Sequence, residues 1–357
     1  MDATRSATLK KHLRPAELRP VLTSLNGDNS WLMSFPRPED ERAATGKAFY
    51  HIVFEPWLAG PTSFLSSWFI HVSLTKAPAV CDPAAIEGVI GQIEDAARNG
   101  RPRSESAAGS DSEDEARDAY RGGIDAILLG FHYLDHTHEA TLRLFDARIP
   151  VVATLEAARL VQGYNHFHEI NLIHNLPASA ETWRSPELHP GGSLPAWLWP
   201  LRMPGHHELN FCLAIIWSHA DAAGIETQEA ILSSPHGIRL DSGPLQAFLR
   251  SKPATKKLAM LHGFKESHTM GWQTTLGARG GLALFRSMGD ARYWIATHHS
   301  ELAYEGAMMR LLRVVDTPRT LQWALEEEKM RVDDAFTGTY QQPRAVQVDN
   351  GQCFVLE

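Results

Sequence analysis

Ile124-Asp125-Ala126-Ile127-Leu128-Leu129-Gly130-Phe131-His132-Tyr133-Leu134-Asp135-His136-Thr137-His138 runs from an apolar strand into three histidines and an aspartate. Ile127 to Leu129 read as a buried strand, and Gly130 frees the backbone to turn where it ends. Imidazole and carboxylate groups bunched on a strand-end loop suit a first-row transition metal, because the strand fixes them while the loop faces solvent. The same residues also read as the start of a helix, with Thr137 or Asp135 as N-cap, His138 in the first turn and Glu139 to Phe145 as helix. The two readings are compatible, since a loop at a helix N-terminus can carry ligands.

Three further segments repeat the pattern of an apolar strand ending on histidine: Glu229 to Gly237 with His236, Lys257 to Gly263 with His262, and Tyr293 to His299 with His298. Strands that end on one edge of a sheet bring their last residues together although they lie far apart in sequence. Four such endings point to a shared metal site. His12, His51, His71, His174 and His189 stand alone near turns or on mixed strands, and His166 and His168 follow a helix; these read as structural or surface residues.

The chain has 357 residues, of which 43% are hydrophobic, enough for a substantial core. Its formal charge of -8 and the lack of a basic stripe exclude a nucleic-acid binder. No stretch reaches the roughly 20 apolar residues of a membrane span, and the N-terminus lacks a signal-peptide core, so a cytoplasmic location is expected. Cys81, Cys212 and Cys353 are an odd number at wide spacing, which fits reduced thiols.

Residues 1–20 form a polar, helix-capable extension, and one domain is expected over 21–357. Leu25-Asn26-Gly27-Asp28-Asn29 is turn chemistry before a strand at Ser30 to Phe35, and Tyr50 to Phe54 is a strand ended by Glu55-Pro56-Trp57. Ser104 to Arg117 is Ser, Gly and acid without a large apolar residue, so a disordered insertion is expected at about 100–118. A helix precedes it at about Ala84 to Ala97, and a strand at Val151 to Thr154 and a helix at Leu155 to Val161 follow the histidine loop.

The segments LNGDNSWLMSFPRP (25–38), YHIVFEPWLAGP (50–61), the histidine loop with THEATL behind it, IPVVATLEAARLV (149–161), EAILSSPHGI (229–238), LAMLHGF (258–264) and LGARGGLALFRSMGDARYWIATHHSEL (276–302) occur in an order that resembles the metallo-β-lactamase superfamily. Within it the chain is similar to the fungal and plant branch related to lactonase-type hydrolases. The resemblance implies an α/β fold, a four-layer αββα sandwich with the metal site at one edge of two stacked sheets. It also implies a His-x-His-x-Asp-His loop, of which Asp135 and His136 match the last two ligands, while His298 matches the final histidine of the domain. The rest departs. Phe131 and Tyr133 fall on the two leading histidines unless the loop is shortened by one residue, which places His132 on the first. His236 stands where a bridging aspartate is expected. The strand Leu209 to Trp217, which should carry a middle histidine, has Cys212 but no histidine.

Losing the bridging carboxylate weakens a two-metal site, so one divalent ion is expected, zinc first, with iron or manganese as alternatives, held by His132, Asp135, His136, His236 and His298. The expected activity is hydrolysis of an ester, lactone, thioester, amide or phosphodiester by a metal-activated water. Asp135 is a ligand or base, His236 or His262 a proton donor, and Tyr133 a hydrogen-bond donor to a developing oxyanion. Two other readings use the same residues: an iron-dependent oxygenase or other biosynthetic enzyme, and a degenerate binding protein without catalysis. The tryptophan-rich segment from Trp183 to Pro200 reads either as a lid over an apolar or aromatic small-molecule substrate or as a staple holding long loops to the core.

Overall fold

The computed structural model describes residues 2–98, 122–220, 223–289, 291–331 and 342–357, and the acidic stretch at about 100–118 lies outside them. Among the described residues, seven strands form one sheet, in the order Cys353–Val355, Val21–Ser24, Trp31–Pro36, Phe49–Phe54, Ala126–Leu129, Val151–Thr154 and Ile170–Ile173. Six form a second, in the order Arg344–Val346, Tyr293–Ala296, Lys256–His262, Glu226–Ser233, Phe211–Ala220 and Leu198–Pro204. Phe49–Phe54 runs parallel to Ala126–Leu129 in the first sheet, and Glu226–Ser233, Lys256–His262 and Tyr293–Ala296 run parallel in the second. Strand-end residues of each parallel set therefore emerge on one edge.

Side-chain alternation sorts the apolar residues into three layers. Ala126, Leu128, Ile52 and Phe54 point between the sheets and meet Leu213, Ile215, Ile231, Leu261 and Ile295. Ile127, Leu129, Val53 and Leu32 point outward onto Ile86, Val89 and Ile93 of the helix Pro83–Ala97 and onto Ala157 and Val161 of Leu155–Gly163. On the far side Cys212, Ala214, Ile216, Leu232 and Met260 meet Leu245 and Phe248 of the helix Gly243–Arg250 and Leu282 and Phe285 of Gly277–Met288. The fold is thus an αββα sandwich. The helix Ala3–His12 also joins it, with Leu9 fully buried in the first outer layer. No helix among the described residues is long and apolar enough to cross a membrane.

The helix Gly277–Met288 shows which effect wins when local and tertiary preferences conflict. Glycine inside a helix costs about 1 kcal/mol relative to alanine, and Gly280 and Gly281 both sit there. Burial of Leu282, Leu284, Phe285 and Met288, each contributing roughly 1.5–3 kcal/mol, outweighs that cost. Gly281 is needed for contact: a Cβ there would lie 2.5 Å from Trp294 Cζ2 and 2.8 Å from His262 Nδ1. Trp294 is fully buried, with Nε1 donating to His262 O at 3.0 Å, so the ring has little room to retreat. Gly281→Ala is expected to lower stability by about 1–3 kcal/mol despite the better helix propensity, seen as a lower urea midpoint with an unchanged slope. A raised midpoint would show that the ring yields.

Glu229, on the strand Glu226–Ser233, is buried and paired with Arg19 (2.7 Å), Lys256 (3.2 Å) and His219 (3.2 Å). Burial opposes its ionisation, but His219 and the two cations overcome it and hold the carboxyl at about 2 against an ordinary 4.5. A carboxyl depressed on folding stabilises the native state above its unfolded pKa, and that contribution fades as pH falls from about 4.5 toward 2. Glu229→Gln should therefore be less stable than the parent at neutral pH and lose less on acidification over that interval. Parallel urea titrations read this directly, and identical pH slopes would disprove the assignment.

Candidate metal centre

Three strand ends from both sheets build the site. After Ala126–Leu129 the chain folds into a tight turn in which His136 and Thr137 N–H donate to Tyr133 O at 2.8 and 2.9 Å, returning His136 into the interior. After Glu226–Ser233 the turn Ser234 to Gly237 closes through a Gly237 N–H to Ser234 O bond of 3.1 Å and presents His236. Gly237 has φ +85°, and a Cβ there would press on Leu276 and on His262 Nε2, so only glycine fits. After Tyr293–Ala296 the chain reaches His298, whose φ of 49° is left-handed and strained for a residue with a Cβ.

One ring nitrogen of each of His136, His236 and His298 lies within 4.8 Å of the others. The ring centroids are 4.7 Å apart for His236 and His298, 5.4 Å for His136 and His298, and 6.3 Å for His136 and His236. His136 is fully buried, and its Nε2 has no hydrogen-bond partner among the described residues. A buried unpartnered nitrogen is costly, and a cation at the focus of the three rings would satisfy it. The donor set therefore fits a divalent ion that accepts nitrogen ligands.

The outer nitrogens are occupied. Glu55, just past the end of Phe49–Phe54, places Oε2 2.6 Å from His136 Nδ1, while Gly130 N–H donates to its Oε1 at 3.1 Å. The Asn29 side-chain amide contacts the same Nδ1 at 3.2 Å. His298 Nδ1 stands 3.2 Å from Asp28 Oδ2, and His236 Nδ1 stands 2.9 Å from Thr275 Oγ1. Burial opposes protonation of His136, yet the carboxylates of Glu55 and Asp135 prevail and hold it up at about 9. Burial and the charges of His298 and His136 push His236 well below the ordinary imidazole value. Burial also opposes ionisation of Asp28, but the neighbouring His298 brings its carboxyl down to about 2.

Of the other residues singled out from the sequence, Asp135 borders the three rings, while His132, Tyr133 and His262 do not join them. Asp135 is partly exposed, with Oδ2 3.5 Å from His136 Nε2, too long for a hydrogen bond. His132 turns outward to Glu208, 3.1 Å from Nε2. Tyr133 is 40% exposed beside Phe131, and burial of the ring with Glu208 and Asp135 nearby raises its phenol pKa. His262 is sealed behind the site: Nδ1 lies 2.6 Å from Gly263 O and burial brings the ring down to about 4. The N-cap of the following helix, Glu139–Leu142, is His138 rather than Thr137 or Asp135: its backbone is extended (φ -63°, ψ 105°), and its ring caps no backbone N–H but contacts Thr141 Oγ1 at 2.8 Å and Pro61 O at 3.2 Å.

Phe131 is buried between His136, His236 and Phe211 and makes an apolar floor. Cys212 points into the outer layer away from the rings. The tryptophan-rich segment acts as a staple. Trp183 and Trp199 meet edge to face at 5.5 Å in the outer layer, Trp183 Nε1 donates to Pro253 O at 2.8 Å, and Trp197 Nε1 donates to Glu41 Oε1 at 2.6 Å. Glu55, Asp28 and Thr275 support the site without belonging to any of the strand-end histidine motifs of the sequence. The available signal for the first two was a carboxylate at a strand end or in a turn on the same edge as the histidines.

No protein-family model matches the sequence, and no curated protein matches it. Among solved structures, the chain is similar to isothiocyanate hydrolase from Delia radicum gut bacteria, with 14% identity and a TM-score of 0.50 over 94% of this chain and 99% of that one. A possible metal-dependent hydrolase from Veillonella parvula aligns with 11% identity and a TM-score of 0.42 over 95% and 100% of the two chains. A metallo hydrolase from the hyperthermophilic archaeon Ignicoccus hospitalis gives 10% identity and 0.42 over 95% and 98%. The first of these likenesses is one of fold.

Proposed function

We propose that this protein is a metal-dependent hydrolase with a mononuclear tris-histidine centre, an altered member of the metallo-β-lactamase superfamily close to its fungal and plant branch. The observation that carries the reading is the convergence of His136, His236 and His298 from three strand ends, with ligand atoms within 4.8 Å of one another. A single ion is favoured because Phe131 and Tyr133 replace the leading histidines and His236 replaces the bridging carboxylate. Zinc is favoured over iron because three nitrogens make up the group, whereas mononuclear iron oxygenases take two histidines and a carboxylate.

The chemistry such an ion supplies when bound is Lewis acidity and a lowered pKa for water. Asp135, with a partly exposed carboxylate 3.5 Å from His136 Nε2, would be the ligand or the proton acceptor for water in this reading. Tyr133 keeps its phenolic proton and so can donate a hydrogen bond to a developing oxyanion. His236, with Nδ1 held by Thr275, acts in this reading as a ligand rather than as an acid. His262, without exposure, supports the turn carrying His236 instead of exchanging protons with substrate. The unpaired thiols of Cys81, Cys212 and Cys353 support a cytoplasmic setting.

Elemental analysis of protein purified without added metal or a histidine tag, followed by assays on ester, lactone, thioester, amide and phosphodiester panels with and without oxygen, tests this. About one zinc per chain and oxygen-independent cleavage abolished by a chelator are expected. Metal-free protein that fails to take up zinc, or turnover that requires iron and oxygen, would overturn it.

A further inference from the structure

The turn Gly27 to Asn29 belongs to the first sheet, yet it holds the loop that carries His298 at the end of the second. Asp28 is buried with 2% exposure and is bonded on every polar atom that faces this loop. Its backbone oxygen accepts from Thr297 Oγ1 at 2.8 Å and from His298 N–H at 3.3 Å. Its Oδ1 accepts from Ser300 N–H at 2.9 Å, and its Oδ2 lies 3.2 Å from His298 Nδ1. Ser300 Oγ donates to Gly27 O at 2.9 Å, and Trp31 Nε1 donates to Thr297 Oγ1 at 3.0 Å. The turn is itself stiff, because Asn26 Oδ1 accepts from Asp28 N–H at 2.8 Å and from Ser30 N–H at 3.1 Å.

This arrangement answers two needs of His298. A left-handed backbone at a residue with a Cβ is strained and persists only where surrounding bonds impose it. The bonds from Thr297, His298 and Ser300 to one aspartate do that. An imidazole that binds a cation through one nitrogen must also present the correct tautomer, and a carboxylate accepting from Nδ1–H fixes it. We propose that Asp28 is a positioning residue of the metal centre, holding His298 with Nδ1 protonated and Nε2 turned toward His136 and His236. The inference rests on the reading of these histidines as ligands.

Competition between the protein and a chromophoric chelator for cobalt(II), with the visible spectrum of the bound ion, tests the assignment. Asp28→Asn keeps the side-chain size but offers one acceptor where two donors need one, and its cobalt affinity should fall about 10- to 100-fold, with a changed spectrum. Ser300→Ala removes a bond from the same loop without touching the carboxylate, and should keep the affinity and spectrum of the parent. Equal loss in both variants would reduce Asp28 to loop stability, and parent-like affinity in Asp28→Asn would overturn the proposal while leaving the metal reading intact. Failure of the parent to bind cobalt would overturn both. Long-range proton–nitrogen NMR of the zinc-loaded parent decides the question even if Asp28→Asn does not fold. A protonated Nδ1 and a zinc-shifted Nε2 on His298 are expected, and the reverse assignment would refute it.

Discussion

Alanine at His136, His236 or His298 is expected to abolish divalent-ion binding, while alanine at His132 leaves it intact. Zinc binding to structural sites is worth about 10–16 kcal/mol spread over three or four ligands, so one ligand carries roughly 2.5–5 kcal/mol, or about two to four powers of ten in affinity. Parent protein passed through gel filtration should keep about one ion per chain, and each of the three variants should fall well below that. His236→Ala is the cleanest of them. Its Nδ1 partner is the neutral hydroxyl of Thr275, so the deletion strands no charge. His136→Ala leaves the buried Glu55 carboxylate without its imidazole, and its metal loss must be read beside its stability. His132 pairs with Glu208 at the surface and serves as the internal control. Retention of the ion at parental affinity in His236→Ala and His298→Ala would dissolve the site.

The second large effect is expected at Glu55 and does not need a metal. Glu55 is 1% exposed, and its two oxygens accept from His136 Nδ1 and Gly130 N–H. Removing one member of a buried charged pair typically costs about 3–5 kcal/mol, because the other stays desolvated without compensation. Glu55→Ala should therefore lower the unfolding free energy of chelator-treated protein by that order, measured by urea titration. Glu55→Gln should cost less but still measurably, since one amide oxygen cannot serve both donors. A Glu55→Ala variant as stable as the parent would show that water takes over both bonds. Pairing His136→Ala with Glu55→Ala in a double-mutant cycle then isolates their coupling, because each single variant strands the other group.

Much of the fold was legible in the chain because each apolar strand repeats one pattern. Ile127 to Leu129 read as a buried strand, and they lie between an inner and an outer apolar layer. The helix expected at Ala84 to Ala97 spans Pro83–Ala97, and Val151–Thr154 falls where it was expected. The helix after the histidine loop, expected to reach Phe145, stops at Leu142. The four strand-end histidines signalled a common edge, and three of the residues named as ligands do meet there. What spacing could not show is direction. His132 and His136 are four residues apart on one loop, yet one faces Glu208 and the other the interior, because the turn closing on Tyr133 O returns the chain between them. His262 ends its strand as His236 and His298 follow theirs, but it stops under Gly237 instead of reaching the edge.

By itself, then, the sequence determined the layers and the edge. Period-two alternation of apolar residues fixes which faces are buried, and the loops that follow parallel buried strands share one rim. Only the tertiary structure decided the membership and the support of the centre. Glu55 from the first sheet reaches His136, and Asp28, 270 residues distant from His298, reaches it from a hairpin turn. The local signal of such pairs is not specific, because a carboxylate at a strand end or turn looks the same whether it faces water or a buried imidazole. The choice is made when the two sheets stack and exclude water, which leaves each buried donor to find its acceptor on a neighbouring strand or in the opposite layer.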